Sequence, residues 1–260
     1  MKQSNIRKAA NHLWKLWREH EATDTLPEPL KPITRAEGYA IQACLEELSE
    51  EPIFGWKIAA TSRAGQSHIG VSRPMAGRLL KKRVHSDGDV ISIDNSLMNV
   101  AEAEFAFRIA SDLPPKGDPY SVEEVLRSVS HLHPSIEIAD SRFKNFSSAG
   151  EAQLIADNAC AHEFVLGPPS DEIWRTLDLK THVVELKTTK PATETGEGRN
   201  VLGDPRTALT WLVNELCQFG THVKKNQVIT TGTTTQPITI EKGVGVVANF
   251  GALGSVSVRL

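Results

Sequence analysis

Apolar residues recur at helical spacing near the start of the chain. Between residues 4 and 21 they share one helical face, at Ile6, Ala9, Ala10, Leu13, Leu16 and Trp17. After the Pro-rich connector LPEPLKP, Thr34 opens a second helical pattern with Glu37 three residues later, which is the spacing of a capping box. The apolar stripe of this pattern comprises Ala40, Ile41, Cys44, Leu45 and Leu48. The first 50 residues are therefore predicted to form two helices.

From Ile53 onward the pattern changes to short runs that are rich in β-branched and aromatic residues. The runs are IFGWKIAAT, DVISI, NVAEAEFAFRIA, SIEIAD, HEFVLG, THVVELKTT, QVITTG and VGVVANF with GSVSVRL. Helices are predicted in this part at 121–130 and 205–219, which is too few for a parallel βαβ alternation. The polar stretch TTKPATETGEGRN is predicted to be a mobile loop. The patterns predict an α+β fold, with a small helical region over residues 1–52 and a β-dominated body over 53–260.

Charge and composition limit which partners and which compartment are expected for the protein. The net charge of -3 and the pI of about 6.3 give no electrostatic reason to expect nucleic acid or a membrane surface as a partner. The chain has no apolar run of 18 residues, and its first residues lack the pattern of a secretory signal. Cys44, Cys160 and Cys217 are odd in number and far apart, which predicts reduced thiols and a cytoplasmic protein.

The segment VAEAEFAF contains the first candidate for chemistry. Glu102 and Glu104 are two residues apart, so on a strand their carboxylates project from the same face. One interpretation is a solvent-facing pair with Ala and Phe turned inward. A third acid, Glu137, lies between two isoleucines in HPSIEIADSRF. Three carboxylates on apolar strands can alternatively ligate a hard divalent cation such as Mg²⁺ or Mn²⁺.

Six segments in register resemble one enzyme family. They are GWKIAATS, VAEAEFAF, HPSIEIADSRF, DNACAHEFVLG, GEGRNVLGDPRTALTWLVNEL and the ending GALGSVSVRL. Their order is similar to that of the 2-keto-4-pentenoate hydratase and 4-oxalocrotonate decarboxylase family, part of the fumarylacetoacetate hydrolase superfamily. The resemblance runs from about Ala36 to the C-terminus. It implies that the body has the fumarylacetoacetate-hydrolase-like fold, a mixed β-roll or sandwich.

The resemblance also implies a site and a reaction. Glu102, Glu104 and Glu137 match the family's ligands for Mg²⁺ or Mn²⁺, and Lys57 in GWKIAATS matches its active-site lysine. The expected activity is hydration of a small 2-hydroxydienoate to a 4-hydroxy-2-oxoacid in the meta-cleavage degradation of aromatic compounds. The alternatives are a 4-oxalocrotonate-type decarboxylase, another activity of the superfamily on a 2-oxoacid (C–C hydrolysis, oxaloacetate decarboxylation or isomerisation) and a non-catalytic partner subunit.

The chain departs from the family at several positions. Cys160 and Ala161 stand where serines are usual, and Met75 and Ala76 stand where many hydratases place an acid. Cysteine is a poor hydrogen-bonding group and alanine has none, so proton and water handling are expected to differ.

Six further residues are candidates for contact with the substrate. His162 is either a replacement proton carrier or a structural histidine. Arg73 is a candidate for binding a second carboxylate, and so is Arg142, although at least one of the two is expected in a structural ion pair. Cys160 is a candidate for substrate binding, as are Thr231 and Gly232 in TTGTTTQP, whose alternative role is a polar strand end. The expected assembly is a homo-oligomer, or a hetero-complex with a related hydratase or decarboxylase.

Overall fold

The N-terminal helices form their own apolar layer against the body. The computed structural model describes residues 1–260, with helices α1 Gln3–Glu19, α2 Arg35–Ala43, α3 Leu45–Leu48, α4 Arg63–His68, α5 Val122–Arg127, α6 Glu151–Ala156 and α7 Pro205–Gln218. The predicted apolar face of α1 packs with Ile41 of α2 and with Phe143 and Ala156 of the body. The capping box is present, because the Thr34 hydroxyl accepts from the Glu37 N–H at 3.2 Å and the Glu37 carboxylate accepts from the Thr34 N–H.

Two β-sheets form the framework of the body. The strands are β1 Ile53–Ala59, β2 Met75–Leu80, β3 Val84–Ser86, β4 Val100–Ile109, β5 Val129–Ala139, β6 Glu163–Leu166, β7 Val183–Thr188, β8 Thr193–Glu197, β9 Val228–Thr230, β10 Ile238–Thr239, β11 Gly245–Asn249 and β12 Ser255–Arg259. The larger sheet has the order β2-β1-β9-β4-β5-β6-β3, with β10 paired to β4, and it is mixed because β1–β9 and β3–β6 run parallel. The smaller, antiparallel sheet has the order β12-β11-β7-β8. The predicted α+β class is confirmed.

The register of the larger sheet gives its two faces opposite character. Glu102 of β4 stands opposite Glu137 of β5, and Lys57 of β1 stands beside Thr230 of β9. Because side chains alternate along a strand, these positions project from one face. We call it the site face, and its polar members are Lys57, Glu102, Glu104, Glu137 and Thr230. The opposite face carries the apolar side chains Trp56, Ile58, Phe105, Phe107, Ile136, Ile138 and Ile229.

The apolar face of the larger sheet packs against the smaller sheet and α7. The Phe105 ring meets the Phe250 ring edge-on at 5.1 Å between centroids. The second sheet and α7 contribute the buried residues Val184, Leu186, Val246, Ala248, Val256, Val258, Leu209, Leu212 and Leu216. Burying each such side chain stabilises the fold by about 1.5–3 kcal/mol. This core holds the strands of the site face in place.

Two local predictions are wrong. The run DVISI forms only an isolated bridge between Val90 and Arg259, in which the Ile91 N–H donates to the Arg259 carbonyl at 2.8 Å, although Ile91 and Ile93 are both buried. The polar stretch TTKPATETGEGRN is not a loop throughout, because its residues 193–197 form β8 and pair with β7. As the edge strand of the smaller sheet, β8 is partly exposed on both faces and shows no apolar alternation. The six-residue helices α4 and α6 lie within segments for which no helix was predicted.

All three cysteines are free thiols. The seven helices, α1 included, all fall short of the length and apolar character that a membrane span requires.

A glycine in the central part of the sheet provides a test of the β1–β9 packing. A Cβ on Gly55 would stand 1.8 Å from the Val228 carbonyl oxygen, a backbone atom that cannot rotate away. We expect Gly55→Ala to lower the free energy of unfolding by about 3 kcal/mol or more, the upper range for overpacking. The matched control is Gly117→Ala, where a Cβ meets no atom within 4 Å. Urea denaturation that gives both variants the same stability as the parent would contradict this packing.

Candidate metal centre and active site

Three glutamates converge on the site face of the larger sheet. Glu102 and Glu104 follow each other on β4, and Glu137 lies directly across from Glu102 on β5. One carboxylate oxygen from each residue lies within 4.8 Å of the others. Glu104 and Glu137 are fully buried and Glu102 is partly exposed. Burial excludes a solvent-facing position for Glu104 and Glu137. Because their carboxylates are kept away from water, some other group must compensate for their negative charge.

Only some of the carboxylate oxygens in this cluster accept hydrogen bonds from the protein. One Glu104 oxygen accepts hydrogen bonds from the Thr230 hydroxyl and from the Gly232 N–H, the latter at 2.7 Å. The other Glu104 oxygen and both oxygens of Glu137 accept no hydrogen bond, although Lys57 Nζ lies 3.1 Å from Glu137 Oε1. Buried acceptors without donors are costly, so the cluster has unused capacity for a cation.

The pKa values of these groups are shifted by the excess of negative charge in the cluster. Burial, together with the neighbouring Glu137 carboxylate, raises the pKa of Glu102 to about 7. Burial also raises the pKa of Glu104 and of Glu137 above the ordinary value. For Lys57, burial acts to lower the pKa, but Glu137, Glu102 and Glu104 outweigh burial and the net pKa is raised. Lys57 is therefore an ammonium that neutralises only part of the carboxylate charge.

The donor set suits a hard divalent cation. All three groups are carboxylates, which Mg²⁺, Mn²⁺ and Ca²⁺ prefer to nitrogen or sulfur ligands. The three hydrogen-bond-free oxygens belong to Glu104 and Glu137, and the partly exposed Glu102 leaves access from solvent. The triad can thus hold a divalent metal, and its own residues supply three of the ligands.

Lys57 is held at the triad by two contacts. It lies on β1 opposite Gly77 of β2, and its side chain is buried. Its ammonium donates to the Ala159 carbonyl at 3.1 Å and lies 3.1 Å from Glu137. An ammonium carries three N–H donors, so one remains for another oxygen in the site.

The segment that replaces the family serines lies over Lys57. Cys160 ends a short left-handed turn, and burial, with the nearby Asp157 carboxylate, raises the pKa of its thiol to about 12. The thiol is therefore protonated at neutral pH and unreactive as a nucleophile. Ala161 is buried and has no polar group.

Thr231 and Gly232 have different roles around the triad. The Gly232 N–H donates to Glu104, so this residue contacts the carboxylate cluster itself. The Thr231 hydroxyl donates to the Phe105 carbonyl at 3.1 Å, which fixes the turn after β9. Thr230 is a site residue that sequence analysis missed. The period-two alternation of β9 was a signal for it, but only once the pairing with β1 and β4 was known.

The structure does not bring His162 to the triad. Its ring packs 5.7 Å from the Trp17 ring, and burial lowers its pKa to about 4. The charged groups that face it are Glu163, Arg142, Arg83 and Asp140, none of which belongs to the triad. His162 also lines a cavity of about 590 Å³ together with Arg83, His85 and residues 90–96. The geometry therefore places it in a separate polar cluster at the start of β6.

The two candidate arginines also differ. Arg73 is exposed in the connection between α4 and β2 and makes no ion pair or hydrogen bond within the chain. Arg142 is buried and forms an ion pair with Asp157, and its backbone N–H donates to the same carboxylate at 2.9 Å. Arg142 is the expected structural ion pair, whereas Arg73 has its charge available to solvent.

Comparisons with known proteins point to one family. The chain is 30% identical over 243 residues to the 4-oxalocrotonate decarboxylase of Pseudomonas putida, which covers 92% of this chain and 89% of that protein. It is 30% identical over 205 residues to 2-keto-4-pentenoate hydratase 2 of Dechloromonas aromatica, covering 79% of this chain and 77% of that protein. No protein-family model matches the chain.

A solved structure shares the whole fold. The 4-oxalocrotonate decarboxylase from Pseudomonas putida G7, complexed with magnesium and adipate, superposes with a TM-score of 0.90 at 25% identity. The match covers 100% of this chain and 98% of that one. The residues of the triad lie on strands within this shared fold. With this agreement in sequence and fold, the chain belongs to the 2-keto-4-pentenoate hydratase and 4-oxalocrotonate decarboxylase family.

Proposed function

We propose that this protein is a divalent-metal-dependent hydratase that adds water to a small 2-hydroxydienoate and yields a 4-hydroxy-2-oxoacid. The observation that carries the proposal is the buried cluster of Glu102, Glu104 and Glu137 with the Lys57 ammonium at its edge. Family membership supplies the reaction class, and the cluster supplies groups that suit it. The metal is Mg²⁺ or Mn²⁺ in this proposal, and the reaction belongs to the meta-cleavage degradation of aromatic compounds.

The carboxylates and their neighbours prepare the binding position. Glu102, Glu104 and Glu137 would hold the cation, which when bound supplies Lewis-acid stabilisation of charge on the substrate's C1 carboxylate and C2 oxygen. Thr230 and Gly232 bind one oxygen of Glu104 and leave the other free to face the cluster. Their hydrogen bonds fix the orientation of this carboxylate before any ligand arrives.

Lys57 adds the positive charge that an anionic substrate needs. The Lys57 ammonium donates a hydrogen bond to the Ala159 carbonyl and forms an ion pair with Glu137, so an N–H donor remains for the substrate. Directed at the C2 oxygen, it would stabilise the negative charge that develops there as the 2-hydroxyl loses its proton. Charge at C2 passes through the conjugated chain to C5, where a proton is taken up, and water then adds at C4.

One observation supports decarboxylation as the second candidate. Met75 is buried on β2 where many family hydratases carry an acid, and neither Met75 nor Ala161 can donate or accept a proton. Departure of a distal carboxylate as CO₂ leaves an electron pair on the same conjugated chain and needs no positioned water. Both reactions use Lys57 and the triad in the same way.

Direct assays separate the two reactions. The purified protein, supplied with Mg²⁺ or Mn²⁺, is incubated with 2-hydroxypenta-2,4-dienoate and separately with 4-oxalocrotonate. A hydratase consumes the dienoate and gives 4-hydroxy-2-oxopentanoate, whereas a decarboxylase releases CO₂ from 4-oxalocrotonate. Inactivity on both substrates with either metal would reject both candidates.

Each triad residue should contribute to metal binding. Glu102→Gln, Glu104→Gln and Glu137→Gln each replace an anionic ligand with a neutral amide. Because changes outside the ligand set already cost about 10- to 100-fold in metal affinity, we expect each variant to lose roughly a hundredfold or more. The fold should survive, since repulsion between like charges is relieved. Calorimetric titration with Mn²⁺ measures the affinity. The control Glu241→Gln removes an exposed carboxylate that pairs with Lys190 and should change nothing.

Lys57 should matter for turnover more than for folding. Lys57→Met keeps most of the apolar stem and removes the charge. We expect kcat/KM on the active substrate to fall about a hundredfold or more, the usual scale for one positioned acid–base group. Lys187→Met, at an exposed lysine on β7, is the control. A rate for Lys57→Met within about threefold of the parent would remove Lys57 from the reaction.

The raised pKa of Glu102 predicts a pH dependence of the metal-free protein. The pKa is about 7 in the folded protein against an ordinary 4.5, so the folded state retains a proton that the unfolded chain releases. The stability from this group is present below pH 4.5 and is lost as the pH rises through about 7. Glu102→Gln does not titrate. In EDTA, the Tm of the parent minus that of Glu102→Gln should therefore fall between about pH 5 and pH 8. A constant difference would show that Glu102 ionises normally.

A further inference from the structure

A strained turn lies directly over the site face. We call residues 157–160 the Asp157 turn. Its last three residues, Asn158, Ala159 and Cys160, have φ values of 58°, 51° and 61°. L-residues other than Asn and Asp rarely adopt this left-handed conformation, and successive ones are rarer still. A conformation of this kind persists only where its surroundings hold it, and such places cluster at functional sites.

The first anchor of the turn is the carboxylate of Asp157. It accepts from the Ser141 hydroxyl at 2.7 Å and from the Arg142 N–H at 2.9 Å, and it also pairs with the Arg142 guanidinium. All three residues are buried. Charge-assisted hydrogen bonds of this kind are the strong ones, so the start of the turn is rigid.

The second anchor is the side-chain amide of Asn158. Its Oδ1 accepts from the Arg78 N–H at 2.6 Å, and its Nδ2 donates to the Arg78 carbonyl at 2.9 Å. The amide thus pairs with β2, an edge strand of the larger sheet, as a neighbouring strand would. Gly77 permits the approach, because a Cβ there would stand 2.4 Å from the Asn158 carbonyl oxygen.

The residue between these anchors and Cys160 contacts the active-site lysine. The carbonyl of Ala159 accepts from Lys57 Nζ at 3.1 Å. The Glu137 carboxylate forms an ion pair with the same ammonium at 3.1 Å. One hydrogen bond, to Ala159, and one ion pair together fix where the ammonium lies. The position of the Ala159 carbonyl is therefore part of what aims Lys57.

We propose that Asn158 is a positioning residue for Lys57. It acts through the Ala159 carbonyl, which its amide holds in place by pairing with the backbone of Arg78, and it does not itself touch the substrate. The proposal rests on the function proposed above and adds a residue to it. It also accounts for the three left-handed residues, since this backbone turns the Ala159 carbonyl toward the sheet.

A merely structural role is the competing explanation. In that case Asn158 only covers the edge strand β2, and its loss weakens the fold or the site in general. The two roles differ in their coupling to Lys57. A positioning role disappears when Lys57 is absent, whereas a general effect remains.

The test removes the amide without forbidding the turn. Asn158→Gly deletes both hydrogen bonds to Arg78, and glycine accepts a positive φ freely. Asn226→Gly is the matched control, because Asn226 is an exposed asparagine that is also left-handed, with a φ of 70°, so the change adds equal backbone freedom and leaves the Asn158 amide in place. Each change is made in the parent and in Lys57→Met, and the probe is oxalate binding to the Mn²⁺-loaded protein, measured by calorimetry. Oxalate is a chelating dianion that cannot be turned over, so binding is read without activity.

The proposal predicts a specific pattern of affinities. Lys57→Met and Asn158→Gly should each weaken oxalate binding by about five- to tenfold or more, as expected for loss of a hydrogen bond to a charged group. In the Lys57→Met protein, Asn158→Gly should change oxalate affinity by less than about twofold, because the group that it positions is gone. Asn226→Gly should stay within about twofold of its parent throughout. The Mn²⁺ affinity of Asn158→Gly should match that of the parent.

Three results would overturn the proposal. An unchanged oxalate affinity in Asn158→Gly rejects it and leaves the metal site intact. An equal loss in the presence and absence of Lys57 also rejects it, in favour of the structural role. Failure of the Mn²⁺-loaded parent to bind oxalate contradicts the proposed function, and this inference with it. If Asn158→Gly does not fold, Asn158→Asp takes its place with the same expectations, because it keeps the acceptor for the Arg78 N–H and loses the donor.

Discussion

Three carboxylates, two of them fully buried, share one face of a sheet with a single ammonium, and their uncompensated negative charge governs the organisation of the site. The Lys57 ammonium balances part of the negative charge. Burial raises the pKa values of all three acids. The cost of keeping unpaired carboxylates away from water is large, so such an arrangement persists where something compensates for it. A divalent cation provides the compensation that the protein lacks, and hydrogen bonds from Thr230 and Gly232 leave the remaining oxygens free for it.

The sheet explains how the acids come together. Pairing β4 with β5 sets Glu102 against Glu137, and a slip of one residue would turn these side chains toward the apolar core. Phe105 and Ile136 on the other face make that slip costly, since they are packed against the second sheet. The same apolar packing that stabilises the body therefore keeps the carboxylates in register.

Part of the site could be predicted from the sequence, and the physical reasons differ from residue to residue. The two-residue spacing of Glu102 and Glu104 depends only on local strand geometry, so their common face was predictable. The position of Glu137 opposite them is a long-range register, and its role came from family resemblance. Thr230 and the Asp157 turn were missed, because their contacts join segments far apart in the chain. His162 follows the turn in sequence but faces Trp17. At the level of the fold, the N-terminal capping box was predicted from local spacing, whereas β8 was missed because an edge strand need not show an apolar pattern.

The most direct measurement is a crystal structure of the protein grown or soaked with Mn²⁺, using anomalous scattering to locate the metal. A metal site at the triad predicts one strong anomalous peak between β4 and β5, with oxygens of Glu102, Glu104 and Glu137 about 2.0–2.2 Å from it. Lys57 should remain in contact with Glu137 and with the Ala159 carbonyl. A Mn²⁺ ion bound elsewhere, or no peak at the triad at a Mn²⁺ concentration that supports turnover, would show that the three glutamates are not the metal site.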